Sequence, residues 1–204
     1  MANTKDTWDD YFIDGTDVLK NKLGITDKKK LEEKEKEMVL QKLAYLELDP
    51  IEGKFDEDHL KNIHTILFGD IYPFAGKYRT CTMARVTEFY NPDMIEEELN
   101  KTLKFLNESV NNIFDKKKYA YVLAKVYYDL MVIHPFREGN GRSVREFLRE
   151  FVNYYSYKIP FDLDYSQMDK DAFLMAVQQR YLYPSLLDME FEKSLVNINK
   201  EKSL

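Results

Sequence analysis

The sequence predicts a mainly α-helical bundle carrying one short β-hairpin, and three observations lead there. Apolar side chains recur every three or four positions along most of the chain, the period of one buried helix face. Seven glycines and six prolines among 204 residues are too few for a turn-rich β architecture. With 44% hydrophobic residues, 15 Tyr and 13 Phe, there is apolar mass for a sizeable core in a chain the length of one ordinary domain.

Residues 1–26 are polar with scattered anchors at Trp8, Tyr11, Phe12, Leu19 and Leu23, and a short helix is expected near 15–23. Thr26 or Asp27 is suited to cap the next helix. From Lys28 to Leu48, Leu31, Val39, Leu40, Leu43 and Leu46 keep a helical stripe through dense charge until Asp49-Pro50 stops it. The run KKKLEEKEKE within it reads as a solvated helix face. The stretch DEDHLKNIHTILFGDIY repeats the plan: an acidic first turn, Leu60, Ile63, Leu67 and Phe68 at helical spacing, and Gly69 as the stop. His59 and His64 inside it read as packed or capping side chains, because no Cys or HxH partner completes a metal cage.

Tyr78–Pro92, YRTCTMARVTEFYNP, is rich in β-branched and aromatic residues and fits no helical period, so it is the hairpin. Helix resumes from Asp93 to about Asn111, with Pro92 suited to its first turn. Tyr119–Ile133, YAYVLAKVYYDLMVI, is apolar on most sides, the mark of a central helix surrounded by others. It ends at His134, since Pro135 disfavours helical backbone in the residue before it. A helix from Asn140 or Gly141 to about Tyr155 places Val144, Phe147, Leu148, Phe151, Val152 and Tyr155 on one buried face, with Arg142, Arg145 and Arg149 on a neighbouring one. Two more are expected, from Lys170 to Tyr183 and, after a break at Pro184, from Leu186 to Val196.

Composition excludes several classes. Thirty Lys and Arg against 36 Asp and Glu give a net charge of −6, which lacks the basic excess of a general nucleic-acid binder. A single cysteine, Cys81, rules out an internal disulfide framework and reads as a small packed hydrophobe. The start MANTKDTWDDYF lacks the charged head and apolar run of a signal peptide. No segment approaches the roughly eighteen apolar residues of a membrane span. The expected location is a cytoplasm, that of the cell itself or of a host.

The chemistry concentrates in VIHPFREGNGRSVREF, Val132–Phe147. A loop that enters a helix N-terminus leaves backbone N–H groups unpaired at the positive end of the macrodipole, and so suits an anion. Gly139 and Gly141 let backbone approach the anion, and Asn140 tolerates unusual backbone angles. Arg142 and Arg145, one turn apart, add fork-shaped donors for more than one phosphate. An acid beside phosphates needs a cation between them, which makes Glu138 a ligand for Mg²⁺. His134 at the other lip can take a proton from a hydroxyl near neutral pH, and Phe136 reads as a plug fixing the loop to the core. Taken singly each has an ordinary structural role; their convergence at one helix start points to a Mg-nucleotide site beside a proton acceptor.

At these residues HPFREGNGR followed by SVR resembles the Fic-family motif HxFx(D/E)GNGRxxR at every specified position. The segments GTDVLKNKLGI and HLKNIHTILFGDIYPFAGKYR resemble the family's in order. The resemblance implies a Fic-type helical bundle, with the motif between two central helices and a hairpin flap over the target. It implies residues 1–50 as an N-terminal helical segment packing on a 51–204 core, with the flap at about 78–92 and the motif loop at 134–145. The activity implied is transfer of AMP from ATP to a Tyr, Thr or Ser hydroxyl of a protein, self-modification included, with release of pyrophosphate. By position, His134 would be the base and Glu138 would hold Mg²⁺ between the α- and β-phosphates. Gly139, Asn140 and Gly141 would form the anion hole, Arg142 would bind the β- or γ-phosphate, and Arg145 the γ-phosphate. The flap residues Thr80, Cys81, Thr82, Met83 and Phe89 would align the target segment by strand-like pairing.

Doc-like members of the family carry a lysine where this chain has Gly141 and transfer a phosphoryl group, so Gly141 argues for AMP transfer. Many members also carry an inhibitory helix, (S/T)xxxE(G/N), whose Glu pairs with the second motif arginine. No Ser or Thr here has Glu four residues later, and Glu35 in LEEKEK has Leu31 before it and Lys36 after it, so it reads as an exposed helical acid. Restraint is then expected from a separate antitoxin, from a further element, or not at all, which would make the chain toxin-like. Two rivals stand: a Fic-type transferase with another nucleotide or phosphate donor, and a non-catalytic nucleotide-sensing module.

Overall fold

The computed structural model describes residues 7–83, 89–113 and 115–198. Seven α-helices are described: α1 Lys28–Leu48, α2 Glu57–Phe68, α3 Ile95–Ser109, α4 Lys116–Ile133, α5 Asn140–Tyr154, α6 Lys170–Gln178 and α7 Pro184–Ser194. Two short strands, β1 Phe161–Leu163 and β2 Leu195–Asn197, pair antiparallel with Leu163 opposite Leu195. The mainly helical class is as the sequence predicts.

Aspartates start many of these helices. Asp27, Asp56, Asp115 and Asp169 each accept a backbone N–H from the first turn of α1, α2, α4 and α6, a bond worth about 1 kcal/mol apiece. Between the caps the apolar stripes meet. α4 lies at the centre, packed by α3, α5 and α7, and it buries residues on all sides, including Tyr119, Leu123, Val126 and Leu130. Ala120 and Ala124 are fully buried there, where small side chains let neighbouring helices come close. α2 packs on α5 and α1 on α2, so Leu31, Val39 and Leu46 of α1 belong to the same core as Phe68, Phe136 and Phe147.

Three helices differ from the expectation. No helix forms at 15–23; Phe12 bridges Leu19, the Ile13 amide donates to the Val18 carbonyl at 2.8 Å, and Gly15 at φ +74° turns the chain between them. That pairing is the reason: Val18, Leu19 and Lys20 face Tyr11, Phe12 and Ile13, the Lys20 amide donating to the Tyr11 carbonyl at 2.9 Å, and Gly15 supplies the turn between the arms. The sixth helix stops at Gln178, and its place up to Pro184 is taken by turns held by the Arg180 guanidinium on the Pro184 carbonyl and the Asp188 carboxylate. The seventh ends at Ser194 because Leu195–Asn197 turn away to pair with β1, a partner too remote in sequence for local periodicity to register.

No strand occurs at 78–83 or 89–92. The two arms are nevertheless joined, the Phe89 amide donating to the Met83 carbonyl at 3.1 Å. The expected hairpin tip, 84–88, lies outside the described residues. Among the described residues no helix is long and apolar enough to cross a membrane.

Candidate active site

The site forms where α4 ends and α5 begins. His134 caps α4 in the left-handed conformation, φ +50°, with its amide still donating to the Leu130 carbonyl. A non-glycine residue there costs roughly 1–2 kcal/mol, so the surrounding structure must hold it. Nδ1 lies 3.2 Å from the Met131 carbonyl, and the Phe89 ring stacks on the imidazole with parallel planes 3.9 Å between centroids, and both contacts orient the ring. A carbonyl only accepts, so Nδ1 carries a proton in that bond, and in the neutral ring the lone pair then lies on Nε2, the tautomer a general base needs.

The backbone of the same turn is gripped by Arg79. Its guanidinium, 2% exposed, donates to the carbonyls of His134, Ile133, Cys81 and Tyr90. One side chain therefore ties both arms of the 78–92 segment to the end of α4.

Past Pro135 the loop is locked at Phe136. Asn140 accepts the Phe136 amide at 2.8 Å and donates to the Phe136 carbonyl at 2.7 Å, while the Phe136 ring stacks on His64 at 3.8 Å. Asn140 thus stands in helical backbone as the first residue of α5 with its side chain committed to the loop. The unusual backbone angle expected of Asn140 belongs to Gly139, at φ +84°, where an added Cβ would lie 2.4 Å from the Phe68 ring. No side chain caps α5, so its first-turn amides remain available to an anion.

His64 supports this loop from α2. Nδ1 accepts the Gly76 amide and Nε2 donates to the Glu138 carbonyl, each at 2.9 Å. Both bonds suit the neutral ring. Burial pushes its pKa down to about 4; the Glu138 hydrogen bond opposes that shift and the Arg142 charge adds to it. The unfolded chain, with an ordinary His pKa near 6.5, binds the proton first as pH falls, so this stability is full above about 6.5 and is lost toward 4. Between pH 7 and 5 this one group is expected to remove about 2 kcal/mol. Urea unfolding at both pH values checks it: His64→Gln should lose that increment of pH dependence, and an unchanged difference would refute the assignment.

The charged residues occupy the rim. Glu138 is one-third exposed, and its Oε1 accepts the Gly139 amide at 2.9 Å and faces Arg142 Nη2 at 3.5 Å. Arg142 also lies 4.7 Å over the Phe68 ring and pairs with Glu35 Oε1 through Nη1 at 2.6 Å. Glu35 is thus 9% exposed, correcting its reading as an exposed helical acid. Leu31, Glu35 and Val39 lie at successive four-residue steps and all are buried, a spacing that marks one helix face. The Arg145 charge opposes the upward push that burial gives the pKa of the Tyr127 hydroxyl, and among the described residues no carboxylate pairs with Arg145. Glu35, Glu138 and Tyr72 line a cleft of about 350 Å³ that Trp8, Phe12 and Leu31 border.

Of the expected flap residues, Thr82 is exposed, Thr80 and Phe89 are half-buried, and Cys81 and Met83 are buried against Tyr11. Docking through these last two would use their backbone. Arg137, given no role from the sequence, is buried against Trp8, Tyr11 and Phe12, at 3.9, 5.4 and 5.1 Å from their ring centroids.

An oriented histidine and an uncapped helix start flanked by arginines define a helical domain suited to moving a phosphate-linked group onto a hydroxyl. Comparison with known proteins gives that class a family. Residues 54–152 match the model of the Fic/DOC family. The protein adenylyltransferase VbhT of Bartonella schoenbuchensis is 35% identical over 156 residues, 76% of this chain and 33% of its own length. The probable protein adenylyltransferase Fic of Escherichia coli K12 is 31% identical over 172 residues, 83% of each chain. The crystal structure of the BepC protein of Bartonella tribocorum with bound AMPPNP superposes with a TM-score of 0.84 at 26% identity, covering 94% of this chain and 98% of that one. The chain belongs to the Fic/DOC family.

Proposed function

We propose that this chain is a protein adenylyltransferase that moves AMP from ATP to a hydroxyl side chain of a target protein. The observation that carries this reading is the junction of α4 and α5, where His134, with Nδ1 on the Met131 carbonyl, stands on the same short loop as the uncapped, glycine-led start of α5. It is supported by the adenylyltransferase names of the relatives and by the nucleotide bound to the BepC protein.

The target hydroxyl oxygen bonds to the α-phosphorus as its proton passes to His134 Nε2. The bond from that phosphorus to the bridging oxygen breaks, and pyrophosphate leaves with the electron pair. Amides at Asn140 and Gly141 hold phosphate oxygens, joined by that of Gly139 when Glu138, which accepts it at 2.9 Å, turns to the ion; Arg142 and Arg145 hold the β- and γ-groups, where negative charge gathers as the bond breaks. Glu138 is the residue for Mg²⁺. Among the described residues no group of three or more acidic, His or Cys side chains stands together, and one carboxylate suits an ion whose other ligands are nucleotide phosphates and water. That ion would neutralise phosphate charge.

The target meets the exposed Thr82 and the half-buried Phe89 of the flap. A separate antitoxin, where one exists, has a groove to enter: Leu40, Leu43 and Ala44 of α1 face Arg145, Arg149 and Tyr165 there.

Reaction of the purified protein with ATP labelled at the α- or the γ-phosphate in a lysate tests the reading. Protein-bound label is expected from the α-labelled nucleotide alone, with a mass gain of one adenylate on a Tyr, Thr or Ser. Label from the γ-phosphate would favour phosphoryl transfer, and label from neither would sink the proposal.

A further inference from the structure

We propose that Glu35 is a positioning residue for the phosphate-binding arginine: held from behind by the Tyr72 hydroxyl, it pins one edge of the Arg142 guanidinium so that the rest of the fork stays turned to the nucleotide. Its two oxygens have separate tasks. Oε1 takes Arg142 Nη1 at 2.6 Å, and Oε2 accepts the hydroxyl of the buried Tyr72. Burial first, and then the bond to Glu35, raise the Tyr72 pKa far above the usual phenol range, which keeps that hydroxyl protonated and donating at every pH where the fold survives.

The anchorage makes Glu35 a pedestal. It projects from the 21-residue α1, and Leu31 and Val39, on either side of it along the same face, are buried, so the carboxylate does not swing away unless a core helix moves. Arginine has five N–H donors, and a carboxylate oxygen on Nη1 leaves others for phosphate. The Phe68 face beneath the guanidinium at 4.7 Å and Glu138 Oε1 at 3.5 Å from Nη2 restrict it further. A guanidinium held before the ligand arrives loses less rotamer freedom on binding it, and that difference appears as affinity.

This inference rests on Arg142 being a phosphate ligand, so its test reads nucleotide binding as well as transfer. Calorimetry with AMPPNP and magnesium is expected to show Kd raised roughly tenfold by Glu35→Ala, with the KM for ATP rising in step and kcat changing less. Glu35→Gln keeps an oxygen for Nη1 and is expected to stay within about threefold. Tyr72→Phe should shift Kd in the same direction as Glu35→Ala, by less. In an Arg142→Ala background Glu35→Ala should add less than about twofold, because a positioning residue has nothing left to position. Tighter binding or faster labelling by Glu35→Ala would make the contact a brake and overturn the proposal, as would an unchanged Kd or a full loss persisting beside Arg142→Ala. No AMPPNP binding by the unaltered protein would overturn the reading of the site as well; normal binding there with an indifferent Glu35 overturns this proposal alone.

Discussion

Replacing His134 by alanine is expected to lower adenylate transfer about 10²–10⁴-fold while Kd for AMPPNP and magnesium stays within about twofold. The separation follows from where the ring stands. Its described partners are the Met131 carbonyl and the Phe89 face, and the phosphate donors come from α5 and its arginines. The fold should tolerate the loss. Alanine bears a somewhat larger penalty at φ +50° than histidine, which is among the residues enriched in left-handed backbone, and the lost ring stack is worth about 0.5–1.5 kcal/mol. His134→Asn is the sharper control, because asparagine accepts left-handed backbone better than most residues yet takes no proton at neutral pH. Both variants should melt near the unaltered protein and label at least about a hundredfold more slowly with α-labelled ATP. Labelling within tenfold of normal by either would remove His134 from the proton-transfer step.

The helical core was legible because its signal is local. Leu60, Ile63, Leu67 and Phe68 are buried as their spacing predicts, and so are Val144, Phe147, Leu148, Phe151 and Val152. Pro135 correctly marked the end of α4. The motif loop was legible for another reason: phosphate chemistry demands a narrow set of residue types close together in sequence. What stayed hidden depends on partners distant along the chain. β1 and β2 meet only because α6 and α7 return the chain to itself. Asn140 looked like a residue suited to odd backbone, and only the folded loop places its amide on Phe136. Glu35 is the instructive case. Its spacing from Leu31 and Val39 puts it on the buried stripe, but a helix so rich in Lys and Glu hides one inward acid among many outward ones.

Arg79 shows the same limit and carries the second large effect. In sequence it is one arginine in a polar and aromatic stretch, with acceptors as far away as Ile133 and His134. In the fold it is buried and serves four carbonyls. Arg79→Met, of similar length and apolar, leaves those acceptors without their charged donor. A buried unsatisfied polar group costs about 1–3 kcal/mol, and partial relaxation and entering water hold the total to about 3–5 kcal/mol. At about 2–4 °C per kcal/mol for a chain of this length, the melting temperature should fall by roughly 6–20 °C. Arg79→Lys offers three donors from a single nitrogen where the guanidinium reaches in several directions, so it should recover part of the stability and less of the activity. Assayed well below its melting point, the lysine variant should bind AMPPNP normally and still label target poorly, because the flap arms and the base are no longer fixed to one another. A methionine variant within about 1 kcal/mol of the unaltered protein in urea unfolding would refute the structural role, and a lysine variant with full transfer would refute the link between flap and base.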